Sequence, residues 1–396
     1  MPTPAAITSD VDLFSDEVLL DPYPTYAELR ERGPLVYLER LDAWAITRHE
    51  HIRAALHDWE TFSSVGGVGL NAVLNGFLTG SVLGTDPPEH DVLRAVLSAQ
   101  LAPRALRAIT EQVEQRASDL VDELLERETF DAVGDLAAAL PLSVVFDLIG
   151  LPEVARPNML RWADGSFTVF GPMNERTQAG LPVIGEMFEW LATLQADDLR
   201  PGSMGRGIFD AAEAGQIGSE SCVPLLGAFT TAGMDTTINS IANAVHLFAT
   251  HPGQWRHLRD NPDLIPSAFA EILRYDSPVQ TFGRFVSRDT VIDGVELPAG
   301  SQAVLLFGSG NRDERRYEQA DSFVVTRSPV DHLAFGYGVH ACVGQALARI
   351  EAHSVLKALV AKVDLIEVGT PVRRLNNVIR GLETLPVTAF RSAASV

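Results

Sequence analysis

Apolar residues recur at helical spacing through much of the chain, and short alternating runs lie near its two ends. Pro22 to Glu31 predicts a first helix. Leu35–Leu38 and Ala43–Thr47 alternate enough to predict a hairpin. Ser63 to Gly84 is Gly-rich and weakly periodic, the pattern of a long loop that serves as a lid or a binding loop. Asp86-Pro87-Pro88-Glu89 starts a helix with prolines in its entry turn. Pro103 to Arg127 carries Leu106, Ile109, Val113, Ala117, Leu120, Val121 and Leu124 at helical spacing. Ser219 to Thr250 predicts one long helix, with Ser219 as N-cap and Pro252 just beyond its end. Its middle, Ala232-Gly233-Met234-Asp235-Thr236-Thr237, is poor helix material and marks a functional break. Leu264 to Tyr275 and Gly344 to Val363 predict further helices, and Val291 to Pro298 a hairpin turning at Asp293-Gly294. With no internal repeat and no Gly/Ser linker, residues 1–396 read as one domain, mainly α with small sheets.

Composition narrows the function classes. The chain has 31 Lys and Arg against 52 Asp and Glu, a net charge of −21. That balance opposes nucleic acid, whose binding rests on phosphate neutralisation, and an anionic membrane surface. No stretch of about 18 uncharged apolar residues stands out as a span. The first ten residues hold no basic segment followed by an apolar run, so neither a signal peptide nor an anchor is expected, and the location is cytoplasmic. Two cysteines, Cys222 and Cys342, give no disulfide framework and no paired-cysteine metal site.

The chemistry gathers at Phe335-Gly336-Tyr337-Gly338-Val339-His340-Ala341-Cys342-Val343-Gly344. A cysteine stands just before a helix, whose first amides favour thiolate. Glycines flank it where a large planar ligand needs close approach of the backbone. A buried cysteine in a glycine-rich turn is the bland alternative for the segment taken by itself.

The segment resembles the haem-binding signature of the cytochrome P-450 family at Phe335, Gly338, Cys342 and Gly344. Glu271 and Arg274 resemble the family's Glu-x-x-Arg helix motif, and Arg327 matches the arginine that joins it. Ala232 to Thr237 resembles the oxygen-activation motif, and the likeness runs from about Asp21 to Phe390. It implies a triangular helical prism with haem b between a long distal helix and the helix behind the cysteine. Cys342 would then be the iron ligand, by the thiolate chemistry that favours O–O cleavage. Asp235 and Thr236 would form an acid and hydroxyl pair that relays protons. His90, Arg94, Arg284, His332 and His340 stand where the family holds the haem propionates, and Glu271, Arg274 and Arg327 would hold the fold.

Several segments are similar to a branch that demethylates para-methoxybenzoates. They include Asp58 to Ser64, Phe170 to Glu175, Ser277 to Phe282 and Asn376 to Glu383. Its pocket matches Phe167, Phe170 and Phe282, with Ala228, Thr231 and Ala232 on the long helix and Phe77 as a further apolar wall. The branch's carboxylate-binding arginine falls at Gly66, and a second polar pair falls at Gly227 and Ala228. An unpaired buried carboxylate is costly. The expected substrate is therefore a small neutral aromatic, O-demethylated or hydroxylated with O2. Electrons would come from an external ferredoxin and an NAD(P)H-dependent ferredoxin reductase. They would enter on the cysteine side near Arg104, Arg107, Arg349 and Lys357. Two rival readings stand beside this one. One is a biosynthetic tailoring enzyme that hydroxylates, couples or nitrates an aromatic residue of a peptide or natural product. The other is a haem-binding or sensing protein without turnover, against which the Asp235-Thr236 pair speaks.

Overall fold

The computed structural model describes residues 7–127 and 129–391. Residues 1–6, part of the segment on which the reading of the chain's start rests, lie outside them. The helices that matter for the site are α1 (Tyr23–Arg32), α2 (Ala72–Leu78), α3 (Glu89–Gln100), α4 (Pro103–Leu124) and α5 (Ala139–Ile149). They continue as α6 (Met159–Thr168), α7 (Glu175–Leu191), α8 (Cys222–Ala232), α9 (Asp235–Thr250), α10 (Ile265–Tyr275) and α11 (Gln345–Lys362). A six-stranded sheet holds β1 (Thr8–Ser9), β2 (Leu35–Leu38), β3 (Ala43–Ile46), β4 (Phe62–Ser63), β5 (Thr281–Val286) and β6 (Gln302–Leu306). Its order is β1-β2-β3-β6-β5-β4. A separate hairpin pairs β7 (Val372–Arg374) with β8 (Gly381–Thr384). The result is a helical body with small sheets, as the resemblance implies.

The largest core cluster joins α4, α8, α9, α10 and α11 through Val113, Leu226, Ile241, Ile272 and Val355. A second cluster lies between the sheet and Phe167, Phe170 and Val279. The β2–β3 hairpin pairs Leu35 with Ile46, and the expected second hairpin pairs Ile292 with Val295 across Asp293 and Gly294, both at positive φ.

Three expectations change. Ser63 to Gly84 is not all loop, because Asn71 caps α2 by accepting from the Leu74 amide at 2.9 Å. The predicted helix from Ser219 to Thr250 is two helices, and Ser219 is no side-chain cap but begins a short turn of tighter helix. Its break falls at Gly233 and Met234, inside the stretch of poor propensity. The Ile238 amide, bonded to Met234 O at 2.9 Å, restarts the ladder. One segment, Ala132–Ile149, does reach the length and mean hydropathy (1.8) of a membrane span, but 56% of it is buried in the fold. Its Phe146 and Ile149 are core residues.

The expected ion pair is fully buried. Arg274 Nε and Nη2 donate to the two oxygens of Glu271 at 2.7 and 2.8 Å. Both side chains have no exposed surface. Arg274 Nη1 donates to Asn311 O and Ala320 O, each at 2.8 Å. Glu271 Oε1 also accepts from the Val324 amide at 3.0 Å and from Arg327 Nε at 3.1 Å. Asn311 passes the order on, since its Oδ1 accepts from the Leu333 amide at 2.7 Å, two residues before Phe335. Removing one partner of a buried pair costs about 3–5 kcal/mol, a large share of a total stability of about 5–15 kcal/mol. Glu271→Gln should therefore be recovered mainly as aggregate. A soluble variant with an unchanged melting temperature contradicts this.

Candidate functional site

The Cys342 loop is shaped by its glycines. Gly336 and Gly338 have φ of 66° and 72°, a region that side chains other than glycine rarely enter. At Gly338 a Cβ would stand 2.3 Å from Leu56 O. The Cys342 amide donates to Phe335 O at 2.8 Å and closes the loop, and α11 starts three residues on. Burial pushes the Cys342 thiol up, while the Gly344 amide, Arg94, Arg349 and the Gln345 amide pull it down toward thiolate. Arg94 Nη2 also donates to Ala341 O at 2.5 Å.

Around this loop the structure gathers four of the five residues expected at the haem propionates. The His90 and His340 rings meet edge to face, 4.4 Å between centroids. Each keeps a buried Nε2 without a hydrogen-bond partner among the described residues. His340 Nε2 is 3.5 Å from Asp86 Oδ1. Arg284 is buried, donates to Gly283 O at 2.7 Å and has its pKa pushed down to about 10 by burial. Strand alternation puts Arg284 on the same face of β5 as Phe282. The glycine-rich segment crosses that strand at contact distance, since a Cβ on Gly283 would lie 2.4 Å from Gly67 O. His332 differs from the other four. Burial pushes its pKa down to about 4, so it is neutral, and its Nδ1 accepts from the Ala334 amide at 3.2 Å. It caps the turn that leads into the loop. Two buried imidazole Nε2 atoms, a buried guanidinium and a thiol fit the carboxylates and iron of a haem, so the set passes the test of its chemistry.

At the helix break the two relay candidates point apart. Thr236 Oγ1 donates to Ala232 O at 3.2 Å, and both residues keep exposed surface. Asp235, one residue earlier, is buried. Arg374 Nη2 stands 2.9 Å from each Asp235 oxygen, and Asn239 Nδ2 donates to Oδ1 at 3.1 Å. Burial raises the Asp235 pKa, Arg374 opposes that, and the charge of Asp164 adds to it. Sequence reading missed Arg374, Asn239 and Asp164. Arg374 lies 139 positions from Asp235 in a short strand that carries no motif.

The three phenylalanines expected in the pocket come together, Phe167 and Phe170 within a core cluster and Phe282 against it. Phe167 and Phe170 are 6.2 Å apart, Phe170 and Phe282 5.2 Å, and Phe282 adds Phe307 at 6.0 Å. Two asparagines hold the turn that bears Phe170. Asn71 Nδ2 donates to Val169 O and Gly171 O at 2.8 Å, and Asn377 Nδ2 to Thr168 O at 2.7 Å. Phe77 stands apart from this wall, because it is 52% exposed on α2 and joins no ring contact among the described residues. Ala228 is half-buried on α8, and Thr231 Oγ1 returns to Gly227 O at 2.9 Å. Gly227 is a packing glycine as well as a missing polar group, since a Cβ there would lie 2.8 Å from the Phe188 ring of α7. Gly66 has φ 70° and nothing within 4 Å of a built Cβ.

The family model described as Cytochrome P450 matches residues 209–382. Cytochrome p450 CYP199A2 of Rhodopseudomonas palustris is 39% identical over 383 residues, 95% of this chain and 93% of that protein. The 6-deoxyerythronolide B hydroxylase of Saccharopolyspora erythraea is 32% identical, covering 96% of this chain and 99% of its own. Among solved structures, CalO2 has a TM-score of 0.84 at 30% identity, over 96% of this chain and 98% of its own. Cytochrome P450 CREJ, solved with (4-ethylphenyl) dihydrogen phosphate, has a TM-score of 0.84 at 27% identity, over 97% and 99%. With identity of 39% sustained over nearly its whole length, this chain belongs to the cytochrome P450 family of haem b monooxygenases.

Proposed function

We propose that this monooxygenase oxidises a small neutral aromatic, by O-demethylation or hydroxylation. The observation that carries the reading is the ring series Phe167–Phe170–Phe282, which suits a flat aromatic through edge contacts. Gly227 sharpens it, because a Cβ there would stand 2.8 Å from the Phe188 ring, so a polar side chain fits only if that ring moves. The aryl ligand of the CREJ neighbour supports an aromatic class. Electrons come from a ferredoxin and its NAD(P)H-dependent reductase, in the cytoplasm. On the cysteine side Lys357 is already paired with Glu114 at 2.6 Å, and Arg349 lies over the Phe335 ring. Of the four basic residues expected to receive the ferredoxin, this leaves Arg104 and Arg107 as the stronger candidates.

Cys342 would hold the haem iron, with Arg94, Arg284, His90 and His340 on the propionates and His332 shaping the loop. When bound, haem supplies the reductive activation of O2 and the transfer of one oxygen atom. The chain's own work is to seat the arene, exclude water and hand protons inward. The Thr236 hydroxyl, now on Ala232 O, is the inner donor, and the Asp235 carboxyl refills it after leaving Arg374.

Thr236→Ala should bind an arene as the parent does, yet its product formed per NAD(P)H consumed should fall about tenfold or more, with hydrogen peroxide in its place. Unchanged yield removes Thr236 from the relay.

Spectral titration tests the substrate class. A charge-assisted hydrogen bond contributes about 1.5–3 kcal/mol, so losing it weakens binding about tenfold to a hundredfold. A methoxyphenol should bind more tightly than para-methoxybenzoic acid by that margin. Tighter binding of the acid overturns the neutral-substrate reading.

A further inference from the structure

Between the end of α6 at Thr168 and the start of α7 at Glu175 the chain turns, and Phe170 stands on that turn. The last carbonyls of a helix have no partner within it. Here four carbonyls in a row are met from distant segments. Asn377 Nδ2 donates to Thr168 O at 2.7 Å, and Asn71 Nδ2 donates to Val169 O and Gly171 O at 2.8 Å. The Leu70 amide donates to Phe170 O at 2.9 Å.

Both asparagines are buried, Asn71 in the glycine-rich segment and Asn377 in the connection between β7 and β8. The oxygen of each amide is occupied as well. Asn71 Oδ1 caps α2 on the Leu74 amide at 2.9 Å. Asn377 Oδ1 accepts at 2.9 Å from Nδ2 of Asn174, the N-cap of α7. Gly171 lies flat against the second amide, since a Cβ there would stand 2.5 Å from Asn377 Nδ2. Phe167 and Phe282 stand on a helix and a strand, which hold side chains more precisely than a loop does. Phe170 lies between them, 6.2 Å from one ring and 5.2 Å from the other. Its place depends on the turn, and the turn depends on the two amides.

We propose that Asn71 and Asn377 are positioning residues that fix the Phe170 ring and, through it, the choice between narrow and wide arenes. The idea rests on the reading of Phe167, Phe170 and Phe282 as the substrate wall. An amide suits the task. At position 71 it gives both N–H groups to carbonyls and keeps its oxygen for the cap. Serine there keeps the cap but has one O–H to give. With the clamp loosened the Phe170 ring gives way, and wide arenes gain over narrow ones.

The test compares para-methoxyphenol with its wider naphthol counterpart by spectral titration. In Asn71→Ser the ratio of the two dissociation constants should move about threefold to tenfold toward the naphthol, the size of one hydrogen bond. Phe170→Ala should move it the same way. Asn71→Ser added to Phe170→Ala should change it by less than about twofold, because two residues acting through one ring are not additive. An unchanged ratio in Asn71→Ser, or its full effect repeated on Phe170→Ala, overturns the proposal, whatever the melting temperature does. A second reading needs no substrate. Haem-loaded protein carrying fluorinated phenylalanine is observed by NMR in the ferrous carbon monoxide form, with the Phe170 signal assigned by its loss in Phe170→Ala. Asn71→Ser and Asn377→Ser should shift or broaden that signal and leave Phe269, packed on His353 in the core, unmoved. A Phe170 signal unmoved in both also overturns the proposal. If neither arene binds the parent, the neutral-arene reading fails and the NMR result still decides the clamp, so the two failures are distinct. Asn377 is the more buried of the two, so Asn71→Ser carries the test if Asn377→Ser does not fold.

Discussion

Glu271 and Arg274 form an ion pair with no exposed surface, and the segment leading to the cysteine loop is ordered through them. A buried pair of this kind is tolerable only where further hydrogen bonds complete it. Those bonds go to backbone groups of Asn311, Ala320, Ser322 and Val324, on the stretch that runs toward Leu333. The pair therefore fixes a long segment that has little regular structure of its own. Asn311 extends it to Leu333, His332 caps the next turn, and the loop of Gly336 and Gly338 delivers Cys342 to the start of α11.

A second ion cluster, at Arg374, is arranged differently. Around Arg274 the bonds run to one buried carboxylate and to three backbone carbonyls. Around Arg374 they run to two carboxylates on two helices, one wet and one dry. The first arrangement has one satisfied state. The second shares one guanidinium between a buried carboxylate and a half-exposed one.

Much of this was legible in the sequence where the signal is local. The β2–β3 hairpin, α4, α10 and α11 follow from periodicity within a few residues of their ends. The cysteine loop was legible because glycine at positive φ and a cysteine before a helix leave a mark in one dimension. So was the weak point of the long helix, although the weakness proved deep enough to split it. What escaped depends on partners far apart. Arg374 meets Asp235 across 139 positions, and nothing near either residue announces the other. Gly227 looked like a lost polar group until the Phe188 ring was seen against it. α2 was hidden by its glycine and by its brevity, and Asn71 was the one local sign of it. Phe77 resembled a pocket residue by position, but the helix that carries it leaves it exposed.

Every other part of the site is arranged around Cys342 as the iron ligand, and the ferrous carbon monoxide spectrum reads that bond directly. The parent protein should show the red-shifted Soret band of thiolate ligation. Cys342→His, checked to retain haem, should lose that band. A haem-loaded Cys342→His variant that keeps it would contradict the assignment and the site built around it.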